Sequence, residues 1–83
     1  MWFVYIIRCK DGSLYTGATN DLEKRFADHK SGKGAKYTKS HIPEEIVFSK
    51  KYRSKIMALR KEREIKDLAR REKIKFIEKN SPG

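Results

Sequence analysis

Eighty-three residues are enough for one domain, and a chain of that size buries only about 60% of its unfolded surface, so the core is small. With 37% hydrophobic and 39% charged residues, too few apolar side chains remain to enclose a deep ligand cavity, and a shallow polar site is expected instead. A net charge of +10 favours a polyanionic partner, with nucleic acid ahead of an anionic membrane surface.

No apolar run approaches the roughly 20 residues that span a bilayer, so no membrane segment is expected. The opening MWFVYII has no leading positive charge and no small-residue cleavage site, so it reads as a strand from Trp2 to Cys9 rather than a secretory signal. Cys9 is the single cysteine, which excludes an internal disulfide and a cysteine-rich zinc site. It is expected as a buried structural thiol in a reduced, cytoplasmic setting. Lys10-Asp11-Gly12-Ser13 is a turn, and Leu14 to Ala18 a second strand. Asn20, followed by Glu23, opens a first helix whose apolar stripe is Leu22 and Phe26 and whose end lies near Ser31-Gly32. A basic, glycine-bearing loop follows, with a weak helical turn over Tyr37 to His41. Pro43 interrupts, and Glu45 to Lys50 forms a third strand. Ser54 caps a long helix from Lys55 to Leu68, and a last helix runs from Arg70 to Lys79. The whole chain, 1–83, is expected as one domain with residues 80–83 as a flexible tail. The order β-β-α-β-α-α gives an α+β fold, a small sheet flanked by helices within the broad α/β class.

Several residues are out of place in a pure scaffold. With Ala58 at zero and ~100° per residue, Ala69 falls near 20°, Ile65 near 340°, and Glu62 near 40°, among the apolar positions. A carboxylate facing the sheet needs a partner: either a lysine or arginine, or a divalent cation that prefers oxygen donors. Arg25 and His29 lie one turn apart beside Phe26, flanking the packed face, where a solvated arginine and a helix-dipole histidine are the plain alternative. Tyr5 and Tyr15 share a face of the sheet only if the hairpin loop has three residues (Asp11-Gly12-Ser13) or a bulge. The two-residue loop Asp11-Gly12 sends them to opposite faces. In GKGAKYTK, Lys33, Lys36 and Lys39 suit phosphate contact and Tyr37 suits base stacking, unless the segment is only a solvated linker.

Taken together these residues resemble the GIY-YIG nuclease family, in its small, single-domain, excision-repair-endonuclease-like branch. Val4-Tyr5-Ile6 stands where that family has its first triplet, and Tyr15-Thr16-Gly17 where it has the second. Arg25 follows Tyr15 at the family's spacing, and His29 follows one helical turn later. ALRKEREIK, carrying Glu62, resembles the glutamate-bearing helix, and GKGAKYT also resembles that branch. The likeness covers Trp2 to Asn80. Departures are Val4 for glycine, Thr16 for isoleucine and Ala18 where some relatives have lysine. Asn80 is the only counterpart for a late asparagine.

The resemblance implies a three-stranded antiparallel sheet and a shallow basic groove that cleaves DNA, branched or nicked, with one Mg²⁺ or Mn²⁺. Glu62 would hold the metal, Arg25 would clamp a phosphate oxygen, and Tyr5 would act as general base with His29 as relay or substitute. Tyr15 would orient phosphate or water, and Gly17 would permit close approach of the chain. A role in repair or recombination, with a separate targeting partner, is expected. The alternative is a non-catalytic nucleic-acid binder on the same scaffold.

Overall fold

The apolar run at the start of the chain becomes the middle strand of the sheet. In the computed structural model, which describes residues 1–80, β1 (Trp2–Cys9) lies between β2 (Leu14–Thr19) and β3 (Pro43–Tyr52), antiparallel to both. Helices α1 (Leu22–Lys30), α2 (Lys36–Ser40), α3 (Lys55–Lys66) and α4 (Arg70–Asn80) complete the α+β fold.

The central strand is buried on both faces, which is why Val4, Tyr5, Ile6 and Ile7 form an unbroken buried run instead of alternating. Even-numbered residues Val4 and Ile6 join Phe48, Ala58 and Ile65, with Phe76 and Ile77 packed against them, so α3 and α4 cover that face. Odd-numbered Tyr5, Ile7 and Cys9 pack with Tyr15, Ile46 and the Leu22 and Phe26 stripe of α1. Two small cores thus sit on either side of one three-stranded sheet. Ile65, 1% exposed, anchors α3, and its truncation to alanine would cost roughly 2–5 kcal/mol. Cys9 is a buried free thiol.

The hairpin decides which side each tyrosine faces. Its loop is Lys10-Asp11-Gly12. Cys9 and Ser13 close it, with the Cys9 N–H donating to the Ser13 carbonyl at 2.8 Å and the Gly12 N–H to the Cys9 carbonyl at 2.9 Å. Gly12 has φ of 87°, the left-handed residue that ends a three-residue hairpin loop. Ile7 therefore pairs with Tyr15, and Tyr5 with Gly17. The pairing is shifted by one residue from the two-residue-loop register and by two from the three-residue one, so it keeps the parity of the latter and puts Tyr5 and Tyr15 on one face. Asp11 fastens it, accepting from the Ser13 N–H at 3.0 Å and the Ser13 hydroxyl at 2.6 Å.

Other boundaries differ from the sequence reading for local reasons. Asp21, not Asn20, caps α1 by accepting from the Lys24 N–H at 3.2 Å. Pro43 starts β3 instead of interrupting before it, as an edge strand permits, and the strand continues to Tyr52. A register shift in the β1–β3 pairing between Ile6 and Ile7 puts Val47 beside Phe48 in the α3/α4 core, while Ile46 lies in the α1 core. The weak helical signal at Tyr37 is a real short helix, α2. Ser54 caps α3 as expected, but α3 stops at Lys66. Ala69 therefore leaves the α3 stripe and is exposed, and its N–H donates to Glu72 at 3.0 Å as α4 begins. Asn80 is the last residue of α4, where its side-chain amide donates to the Phe76 carbonyl at 2.8 Å; the rest of the expected tail lies outside the described residues. Among the described residues no helix is long and apolar enough to cross a membrane.

Candidate active site

The strand pairing places Tyr5 directly opposite Gly17. A Cβ added at Gly17 would collide with the Tyr5 hydroxyl, and would lie 2.6 Å from its ring carbon Cζ and 3.2 Å from the Tyr15 ring. The Tyr5 ring thus lies across bare backbone, and only glycine leaves the space. Its hydroxyl reaches His29 Nε2 at 2.9 Å. Tyr15 completes a cluster of three rings, with centroids 6.4 Å from Tyr5 and 5.1 Å from His29.

His29 enters from the last turn of α1 and is 1% exposed. Its other nitrogen, Nδ1, lies 2.7 Å from the hydroxyl of Thr38 on α2. That hydroxyl in turn donates to the Ala35 carbonyl at 2.9 Å. Gly34 lets this loop close down, since a Cβ there would collide with Nδ1 and would sit 2.8 Å from the His29 Cα and Cγ. Burial holds the His29 imidazole below its ordinary pKa, and Arg25 adds to this, while Asp28 opposes it. Burial also pushes the Tyr5 phenol up to about 12. Tyr15 and Glu62 push the same way, against the neighbouring Arg25 guanidinium. Both partners of the Tyr5–His29 hydrogen bond are therefore held neutral.

Arg25, one turn before His29, is half-buried on α1 beside a concavity lined by Thr19, Asn20, Asp21, Lys24 and Asp28. Glu62 comes from α3, which packs on the opposite face of the sheet, yet its charge is felt at Tyr5. Because β2 is an edge strand, a side chain on α3 can influence the other face around that edge. The carboxylate is 17% exposed and is paired with Lys66 at 3.0 Å. It lines an open groove of about 410 Å³ with Leu59, Arg63, Lys66 and Asp67. The lysine partner anticipated for a carboxylate at this position is present, on the rim of a groove open enough for a ligand. Among the described residues no three His, Cys, Asp or Glu side chains gather, so a cation here would have few protein ligands.

The structure thus brings Tyr5, Tyr15, Gly17, Arg25 and His29 together and sets Glu62 within electrostatic reach. Lys33, Lys36 and Lys39 are exposed, as phosphate contacts would be. Tyr37 is exposed as well, and its ring stacks on Tyr15 at 5.7 Å and on His41 at 4.2 Å. Asp11 holds His41 in turn, at 2.7 Å, which links the stack back to the hairpin loop. Sequence reasoning missed Gly34 and Thr38 as site residues. One signal was available: a second glycine in Gly32-Lys33-Gly34 that no turn requires, since only Gly32 has positive φ. Thr38 gave none, because its contact with His29 spans a helix end and a loop.

The family model described as the GIY-YIG catalytic domain matches residues 1–75. The chain belongs to the GIY-YIG nuclease family. Similar GIY-YIG chains are UPF0213 proteins. One from Staphylococcus haemolyticus is 51% identical over 76 residues, covering 92% of this chain and 93% of that protein. Another, from Oceanobacillus iheyensis, is 53% identical over 76 residues, covering 92% and 88%. The solution NMR structure of a UPF0213 protein from Bacillus halodurans superimposes with a TM-score of 0.65 at 45% identity, covering 98% of this chain and 87% of that one. The two stretches that resemble the family's triplets, VYI and YTG, each place a tyrosine in the ring cluster described above.

Proposed function

We propose that the chain is a DNA endonuclease that hydrolyses phosphodiesters with one divalent cation, Mg²⁺ or Mn²⁺. The observation that carries this reading is the buried Tyr5–His29 hydrogen bond, with a guanidinium on one side and a carboxylate within electrostatic reach. Glu62 fits the cation. Magnesium-type ions are commonly held by one or two carboxylates and complete their shell with water and substrate phosphate. The carboxylate already holds a positive charge, the Lys66 ammonium, which is half-exposed and free to swing aside. When bound, the cation supplies neutralisation of charge on the leaving oxygen.

The chain's own residues supply the rest. Arg25 presents a planar fork to a non-bridging phosphate oxygen. Tyr5 does not ionise unaided near neutral pH, because burial pushes its phenol up to about 12. Its hydrogen bond to His29 provides another route. The attacking water gives a proton to the Tyr5 oxygen as the phenol passes its own to His29 Nε2. The resulting hydroxide bonds to phosphorus, the ester P–O bond breaks, and the leaving oxygen takes a proton from water. Tyr15 orients the phosphate or the water. Lys33, Lys36 and Lys39 hold backbone phosphates, which makes binding salt-dependent. Branched or nicked DNA is the proposed substrate, in repair or recombination in the cytoplasm, with a separate protein supplying the targeting.

Incubation with nicked, branched and linear duplexes, with and without Mg²⁺ or Mn²⁺, tests this. Cleavage is expected only with metal, and it is lost in folded Glu62→Ala and Arg25→Ala variants. A Glu62→Ala protein that cuts as fast as wild type overturns the metal assignment. Salt-dependent binding without cleavage of any duplex would mark a non-catalytic binder.

A further inference from the structure

We infer that Thr38 is a positioning residue that fixes the tautomer of His29, and through it makes His29 the acceptor of the Tyr5 proton. The catalytic consequence rests on the nuclease reading above, whereas the tautomer does not.

The available protons fix the tautomer. A threonine hydroxyl has one proton to donate, and a neutral imidazole carries one N–H. Thr38 sits in the first turn of α2, where its hydroxyl is 2.9 Å from the Ala35 carbonyl, a group that only accepts. The hydroxyl proton therefore points at Ala35, and a lone pair is left towards His29. Nδ1, 2.7 Å away, must then carry the imidazole proton. That leaves Nε2 bare, facing the Tyr5 hydroxyl at 2.9 Å, so the phenol donates. All three contacts run one way: Tyr5 O–H to His29 Nε2, His29 Nδ1–H to Thr38 Oγ1, and Thr38 O–H to the Ala35 carbonyl.

The opposite tautomer satisfies fewer of them. Thr38 would have to turn its proton to Nδ1, leaving its oxygen and the Ala35 oxygen 2.9 Å apart with no proton between them. Water gives little relief, because His29 and Thr38 are 1% and 3% exposed and the bare backbone of Gly34 lies against the imidazole. The segment GAKYT, within the lysine-bearing loop, thus points one hydroxyl inwards to set the direction of a proton path.

The ring faces Tyr5 from β1, Tyr15 from β2, Thr38 from α2, and Arg25 and Asp28 from its own helix. Arg25 opposes protonation of His29 and Asp28 favours it. Removing the Thr38 hydroxyl takes an acceptor from the imidazolium. The neutral ring can adapt by moving its proton to Nε2, so the variant becomes harder to protonate and blocks the Tyr5 proton at the same time.

Nitrogen-15 NMR of histidine-labelled protein reads the tautomer directly, above the pH at which His29 protonates. Wild type and Thr38→Ser are expected to show the Nδ1–H form, and Thr38→Val a mixed or Nε2–H form. On nicked duplex with Mg²⁺, Thr38→Val should lose about 100-fold in kcat with KM unchanged, the lower end of proton-transfer contributions. The acid limb of its rate profile should move to lower pH, and Thr38→Ser should recover both. An Nε2–H tautomer in wild type overturns the inference whether or not Thr38→Val folds, and so does an unaltered tautomer in a folded Thr38→Val. Wild-type cleavage with an indifferent Thr38→Val sinks the positioning role and leaves the nuclease standing. An Nδ1–H wild type that cuts no duplex sinks the nuclease reading and leaves the tautomer standing.

Discussion

Gly17→Ala tests the geometry of the site at its tightest point. The added methyl would overlap the Tyr5 hydroxyl and lie 2.6 Å from Cζ, closer than packed carbon atoms tolerate. Tyr5 cannot step aside cheaply, since it is 1% exposed and hydrogen-bonded to an equally buried His29. Overpacking of this kind costs about 1–3 kcal/mol. For a domain of this size that lowers the melting temperature by about 4–24 °C. The displacement also breaks the alignment of Tyr5 with His29, and an error of about 1 Å in a reacting group costs on the order of 10²-fold in rate. Gly32→Ala is the control. It has nothing within 4 Å but has φ of 83°, so alanine there pays backbone strain of about 1–2 kcal/mol without touching the rings. Calorimetry and single-turnover cleavage of nicked DNA separate the two: both variants melt earlier, and only Gly17→Ala loses rate. Wild-type rate and melting in Gly17→Ala would refute the reasoning, as would equal loss of rate in Gly32→Ala.

Other outcomes follow from the same packing. Thr16 is 3% exposed and its hydroxyl has no hydrogen-bond partner among the described residues, so Thr16→Val should stabilise the fold by about 1–2 kcal/mol; thermal melting checks it, and a lower melting temperature would show that the hydroxyl is satisfied. His29 has its pKa lowered in the fold, so the stability it contributes is complete above its unfolded value of about 6.5 and is lost as pH falls through the folded value. An NMR titration should place its midpoint below 6.5, and urea unfolding should show weakening from that pH downwards. A midpoint above 6.5 would reverse the sign. Gly34→Ala should push the loop off His29 and lower kcat, because its Cβ has no room beside the imidazole; an unchanged rate with unchanged melting would contradict the contact.

Much of the scaffold was legible because it follows from local chemistry. The apolar run at Val4 to Ile7, the Asp-Gly turn and the Ser54 cap each announce their element. The Leu22 and Phe26 spacing gave the packed face of α1, and with it the inward placement of His29. Glu62 stood out because a carboxylate interrupts an otherwise apolar stripe. What remained illegible was set by tertiary contact. The hairpin register depended on Lys10 joining the loop, so that a three-residue turn ends on left-handed Gly12, and no composition rule separates that from a two-residue Asp-Gly turn. Tyr37 read as a free aromatic because its stacking partners, Tyr15 and His41, lie on other elements or beyond its own helix. The end of α3 at Lys66 moved Ala69 out of the apolar stripe, a shift that helical periodicity by itself does not register.

The short helix α2 has a mechanical consequence. In five residues it carries Lys36 and Lys39 pointing to solvent and Thr38 pointing into the protein. One turn is too stiff and too small for its two sides to move independently. Lys36 and Lys39 on the outside and Thr38 on the inside are therefore carried by one rigid piece, so a polyanion gripped by the lysines, as proposed, would tug on the hydroxyl that faces the imidazole.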